Sequence, residues 1–435
     1  MKTYLVNLWD SLRSSFWFVP AMFGVVALLV AIAMPMLDAS LQIQHPAWLL
    51  TTTDAARATL STIVGAMMGI TGTVFSITIV ILSLTSQQFG PRLLRTFMLD
   101  LPTQVSMGVF LSTGVYCLLI LRVVEDSPHG PGTPHASVAL AVVLIVLSMG
   151  VLIYFIHHVA VMIQAPNVVA LVAQDLDNAI VRLFPERIGE DAGKRVAEGP
   201  GAQQLADAPA RVVSCTALGY VQAVDDQRLM TIAVECDLRI HLHRRPGHFV
   251  STGIVLADLW YRGGTLTDEA WSDIERRIND CLIVGVRSTP RQDVECAIGE
   301  LVELAVRALS PGINDPFTAV TCVDYLGSAM AELAQRQMPD PRRVDDEGIL
   351  RVVTWSVDFD QALDTAFNQI RQYGAGSPAV LIRMLEVFAV LGRQVSRQQH
   401  RQSVLRHAAL VEEAAVNAVH DSNALAAIRA RHQAI

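Results

Sequence analysis

His241 and His243 alternate along the segment LRIHLHR, so a strand there would turn both imidazoles to one side, with Cys236 and His248 close by in sequence. Zinc accepts such ligands. The four residues lack the tight paired spacing of zinc motifs, and a solvated strand face accounts for them with less. No metal and no cofactor is expected. A second pair, His157 and His158, stands near the end of the apolar run YFIHHVAVMIQ. Ionisable residues in a membrane segment are functional candidates, and an imidazole titrates near neutral pH, which makes this pair the candidate for pH sensing. Histidines so close to an interface can equally reach water at little cost. Asn314 and Asp315, in SPGINDPFTAV, could bind a ligand. Asp315 is also well placed to cap a helix that Pro316 opens. No Walker loop, GxGxxG, HExxH, GxSxG or kinase signature occurs, and the chain is not expected to be an enzyme.

A less reactive pattern carries more information. Thr62, Gly65, Gly69, Gly72, Ser76, Ser83 and Ser86 recur at helical steps and share one face, interrupted only around Ile79 and Val80. Small residues let another helix approach closely, with Gly65 and Gly69 as the GxxxG pair. The same face could instead meet water and line a pore, its hydroxyls replacing part of an ion's hydration shell.

The elements that must carry these residues follow from hydropathy. Crossing a bilayer core takes about 20 mostly apolar residues, and four stretches qualify: 17–37, 60–86, 104–124 and 137–163. Phe16, Trp17 and Phe18 mark one interface of the first, and Trp48 the opposite one. Lys2 and Arg13 precede the first stretch and Arg92 and Arg95 follow the second, whereas the loop EDSPHGPGTPH has no Lys or Arg. By the positive-inside rule both termini face the cytoplasm of a bacterial inner membrane. The start of the chain, with Asp10 and Arg13 ahead of the apolar core and no small-residue cleavage site, does not read as a cleavable signal peptide.

Beyond residue 165 the pattern changes. A helix continues past Pro166, and 185–210 is rich in Gly, Ala, Pro and charge, so 166–210 reads as a connecting helix and flexible linker. Residues 211–290 read as mixed α/β. RVVSC, GYVQAV and LRIHLHR are strands, DQRLMTIAVEC is a helix, and RPGHFVSTGIVLADL turns at Pro246-Gly247 and bends near Gly253. That last phrase looks like the hairpin of barrel-sandwich (lipoyl-like) domains. No lysine stands at a turn to accept lipoate or biotin, so a small structural β-barrel is expected. Residues 291–435 read as helical, opening with the amphipathic DVECAIGELVELAVRAL. The fold class is therefore a polytopic α-helical membrane domain of four transmembrane helices over 1–165, followed by an α+β domain with a barrel-like part and a helical C-terminal part.

Composition agrees. Of 435 residues, 52% are hydrophobic and 17% charged, and mean hydropathy is +0.39, all displaced toward membrane values. Thirty-three Lys and Arg against 41 Asp and Glu give a net charge of −8, and no basic stripe is evident, which argues against a nucleic-acid partner. Six cysteines without CxxC spacing read as reduced thiols.

Five phrases resemble one bacterial family: TGTVFSITIVILSLTSQQFGPRLLRTFM, LIYFIHHVAVMIQ, RPGHFV, ALSPGINDPFTAVTCVDYLG and QIRQYG. The family is the predicted membrane proteins called domain of unknown function 2254. The resemblance runs nearly end to end. It implies four N-terminal membrane helices and a cytoplasmic C-terminal domain, and carries no activity. The expected function is a homo-oligomeric channel or pore-forming transport protein, with the second helix facing the axis and the C-terminal domain forming a cytoplasmic vestibule. A membrane-anchored sensor or scaffold is the alternative. Expected partners are the lipid bilayer, further copies of the chain and small ions.

Overall fold

The computed structural model describes residues 15–41, 52–90, 97–125, 134–184, 211–263 and 265–435. The chain divides into two compact units, residues 1–167 and 168–435. Lys2, Arg13, Trp48, Arg92 and Arg95, on which the orientation rests, lie outside the described residues, as does the stretch 185–210.

Among the described residues the first unit has four long helices: α1 (Phe18–Leu41), α2 (Thr53–Gln88), α3 (Leu101–Glu125) and α4 (His135–Met162). All four are long and apolar enough to cross a bilayer. α2 reaches well beyond the apolar stretch 60–86 because Asp54 and Arg57 belong in its first turns, and Thr52 caps it by accepting from the Ala55 N–H at 3.3 Å. Hydropathy reports what lipid accepts, and the helix continues where lipid need not.

α3 is the hub, packing against α1, α2 and α4, and is the most buried of the four. Tyr116, Cys117 and Ile120 of α3 meet Leu60 and Met67 of α2 and Ala141 of α4 in one core. Phe110 joins Val74 and Phe155 in a second. Polar groups pair across the helices: the Ser137 N–H and hydroxyl donate to Asp38 at 3.0 and 2.9 Å, the Tyr116 hydroxyl donates to the Ser137 carbonyl at 2.9 Å, and Thr113 and Ser148 share a hydrogen bond of 3.1 Å. Each pairing removes a polar group from apolar surroundings that offer it no water. Leu29, Ile32, Val146 and Ile153 project outward, as lipid-facing residues do.

α5 (Ala165–Leu183) restarts the chain at Pro166, and its Val172, Leu176, Ala179 and Ile180 are buried. The second unit continues with β1 (Arg211–Ser214), β2 (Gly219–Val224), α6 (Asp226–Glu235), β3 (Leu238–Leu242), β4 (Phe249–Val250), β5 (Val255–Tyr261), α7 (Asp268–Asn279) and β6 (Leu282–Gly285). Then come α8 (Val294–Ala308), α9 (Pro316–Gln335), β7 (Arg342–Val344), β8 (Leu350–Val353), α10 (Phe359–Tyr373), α11 (Pro378–Gln394), α12 (Gln398–Ala418) and α13 (Ser422–Gln433). The mixed α+β class is as expected, but the strands do not close into a barrel. Among the described residues they form two open sheets, in the orders β1-β5-β3-β8-β7 and β4-β2-β6. Closure fails because β3 pairs in parallel with β8, a strand supplied by the helical part of the chain, leaving β1 and β7 as separate edges. One hydrophobic core fills the space between these strands and helices α6 and α7, with Leu238, Ile240, Leu259, Ile274 and Ile278 at its centre.

Gly247 makes the Pro246-Gly247 turn possible. Its φ of +93° favours glycine, and a Cβ there would lie 2.2 Å from a carboxylate oxygen of Asp293. In the helical part, Phe367 of α10 and Phe388 of α11 meet edge to face at 4.9 Å beside the buried His407 of α12.

Candidate functional site

The face of α2 that packs on α3 is Ala56, Leu60, Ile63, Met67, Val74, Thr78, Ile81 and Thr85. The small-residue stripe lies on the opposite side. Thr62, Gly65, Gly69, Gly72, Ser76 and Ser83 are exposed and Ser86 is half-buried. A Cβ built at Gly65, Gly69 or Gly72 would meet no atom within 4 Å, whereas one at Gly108 of α3 would lie 2.8 Å from the Phe23 ring. Gly108 is thus a close-approach glycine inside the bundle, and the α2 stripe is not. Among the described residues, the stripe packs against no other helix of its own chain. The Thr62 hydroxyl donates to the Ala58 carbonyl at 2.8 Å and that of Thr73 to the Gly69 carbonyl at 3.0 Å, satisfying polar groups that a dry surroundings would penalise.

The paired histidines separate. His157 is exposed. His158 turns inward and its Nε2 lies 3.0 Å from Asp100 Oδ2, with the Tyr154 ring stacked over its own at 5.7 Å. Asp100 also accepts from the Thr103 N–H at 2.9 Å, so the carboxylate that caps α3 fixes His158 of α4.

Asn314 takes a φ of +50° in the turn between α8 and α9. Asp315 caps α9, accepting from the N–H groups of Phe317 and Thr318 at 3.1 Å and from the Thr318 hydroxyl at 2.5 Å. Those bonds, the Thr318 hydroxyl's first, hold its carboxyl below the usual range. Three of its roughly four acceptor positions are thereby taken by the cap.

In the second unit a cleft of about 370 Å³ is lined by Arg182, Asp226, Arg245, Gln292, Arg343 and Trp355, among others. Its guanidinium groups are largely engaged: Arg182 donates to the carbonyls of Pro290 and Arg291, Arg245 lies over the Trp355 ring and pairs with Glu295 while its buried Nε has no hydrogen-bond partner among the described residues, and Arg343 donates to the Asp340 carbonyl.

His241 and His243 do project from one side of β3 and its immediate continuation, their rings 4.6 Å apart. Burial, and then the neighbouring His243, push His241 below the ordinary histidine value. Sequence reasoning missed the third member of this group. Asp258 of β5 is the cross-strand partner of His241 and lies 2.8 Å from His243 Nε2. Only the strand register brings it there. Cys236 and His248, also near in sequence, are not part of the group.

Four apolar helices, three of them packed around α3, joined to a mixed helical and sheet region, define a polytopic membrane protein. The chain belongs to the family described as predicted membrane protein (DUF2254), which matches residues 13–390. It is similar to uncharacterised proteins of Mycobacterium bovis and of two strains of Mycobacterium tuberculosis, each 32% identical over 363 residues, covering 83% of this chain and 68% of theirs. No solved structure matches it.

Proposed function

We propose that the protein is a homo-oligomeric channel or pore-forming transport protein of the bacterial inner membrane, with α2 facing the axis and both termini in the cytoplasm. The observation that carries this reading is the stripe from Thr62 to Ser86, turned away from α3 and open to whatever surrounds the chain. Small side chains and hydroxyls there form a poor lipid surface compared with the leucines and isoleucines of α1 and α4. A path built between copies needs only one such helix from each, which suits a bundle whose interior α3 already fills. A membrane-anchored sensor or scaffold is the second reading. The Thr62 hydroxyl, folded back onto the Ala58 carbonyl of its own helix, favours it, because it leaves that end of the stripe dry enough to pack helix on helix.

Thiol labelling separates the two. With Cys117 replaced by alanine, cysteines at 69, 76 and 83 should react with small hydrophilic thiol reagents, because the thiolate forms where water solvates it. Ile81, buried on the α3 side, and Phe75, exposed but outside the stripe, are the negative controls. Labelling at 76 accompanied by flux across proteoliposomes supports a pore. Silence at 76 under every voltage, tension and pH tried, with a stable oligomer, refutes it in favour of the scaffold.

A further inference from the structure

We propose that His241, His243 and Asp258 form a binding site for one divalent transition-metal ion of the zinc class, on the outward face of the five-stranded sheet.

Strand alternation sends Leu238, Ile240 and Leu242 into the core and leaves His241 and His243 on the other side. The antiparallel register sets Asp258 directly opposite His241, on that same side. Each residue offers one ligand atom, and the three atoms all lie within 4.8 Å of one another. Metal–ligand bonds of about 2.0–2.2 Å at tetrahedral angles put ligand atoms about 3.3–3.5 Å apart. The 2.8 Å between His243 and Asp258 must therefore open by about half an ångström, and a pair at the 4.8 Å limit close by up to about 1.5 Å, rotations open to half-buried side chains.

The donor set specifies the class. Two imidazoles and one carboxylate suit zinc and its neighbours in the first transition row, and calcium and magnesium prefer all-oxygen ligands. The surroundings help in two ways. Val212 of β1 pairs with Asp258, and Val353 of β8 pairs with His241, so the row across the sheet reads Val212, Asp258, His241, Val353. Apolar neighbours at both ends lower the local dielectric around an ion. Arg351 and Arg342, on the adjoining strands, are committed to Asp237 with Asp345 and to Asp340 respectively. A salt link between His243 and Asp258 alone would explain one imidazole; it leaves the second, tilted at 54° beside the first, without a role. Three protein ligands on an open sheet face leave a fourth position for water or an incoming donor. The site is independent of the pore reading, since its residues all belong to the second unit.

The test uses the full-length chain, purified in detergent with a tag that contains no histidine, stripped with chelator and titrated with Zn²⁺ by calorimetry. Cobalt substitution adds a visible spectrum that reports thiolate ligation separately. The expected result is one ion per chain, with affinity at least tenfold weaker in each of His241→Ala, His243→Ala and Asp258→Asn, no thiolate band with Co²⁺, and an unchanged affinity in His248→Ala. Metal-free melting temperatures identify any variant that has lost its fold. For such a variant the cobalt spectrum of the unaltered chain decides: histidine and oxygen ligation supports the site, and thiolate ligation refutes it. Failure to bind stoichiometric Zn²⁺, or equal affinity in Asp258→Asn, overturns the proposal.

Discussion

Gly69→Leu tests whether the open face of α2 has a protein partner. Among the described residues the substitution meets no other element of its own chain, since nothing beyond its own helix turn lies within 4 Å of a Cβ at that position. Replacing glycine in a helix interior by a good helix former favours the helix by about 0.8–1 kcal/mol, so against lipid the variant should be neutral or more stable. Against a second helix the leucine has no room. Overpacking of a close contact costs about 1–3 kcal/mol, which weakens association about 5- to 150-fold per contact. In a closed ring the same contact recurs at every interface. The assay is the oligomer distribution across a dilution series in detergent, by native mass spectrometry or cross-linking, together with flux in liposomes. Gly108→Leu is the internal contrast: its side chain would enter the Phe23 ring, so it should reduce the yield of folded protein whatever the oligomer does. An unchanged distribution and unchanged flux in Gly69→Leu would mean that the stripe touches only lipid, and the pore and packing readings would fall together.

Two further perturbations concern the second unit. Asp315→Ala removes the α9 cap and should lower stability by about 1 kcal/mol, with Asp315→Asn close to wild type; equal melting temperatures for Ala and the unaltered chain would show that the cap contributes nothing. Burial between Phe367 and Phe388 pushes His407 below the ordinary histidine value, with Asp364 and Asp360 opposing and Arg406 reinforcing the shift. The unfolded chain then takes the proton more readily than the folded one, so this contribution is complete above about pH 6.5 and is lost as pH falls below it. Buried Asp293, pushed up to about 6, acts with the opposite sign, losing stability as pH rises toward that value. Comparison with His407→Leu therefore isolates the histidine: the melting temperature of the unaltered chain should fall more steeply from pH 7.5 to 5.5 than that of the variant, and parallel curves would refute the assignment.

The four membrane helices were legible because a run of about 20 apolar residues has few other uses. The ends of α2 were not, since Asp54 and Arg57 interrupt hydropathy without interrupting the helix. β1, β2 and β3 showed in their alternation, but β7 and β8 are three and four residues long and were hidden in a region read as helical. That omission is why the expected barrel became two open sheets. Site residues followed the same division. The α2 stripe could be listed from spacing alone, whereas its direction, away from α3, depends on which face the neighbours cover. The His241 and His243 pair was visible on one strand. Asp258 lies on another, and its place opposite them depends on a register that turn geometry and core packing decide.

The parallel pairing of β3 with β8 also dictates an order of events during synthesis. β3 finds β5 soon after both leave the ribosome, but its other edge has no neighbour until β8 emerges, roughly 110 residues later. At about 5–20 residues per second that interval is about 5–20 s. Throughout it a strand edge with alternate buried side chains stands bare, the kind of template on which stray chains pair. Truncation after α9 would make the interval permanent, so the C-terminal region guards the sheet whose unit it shares.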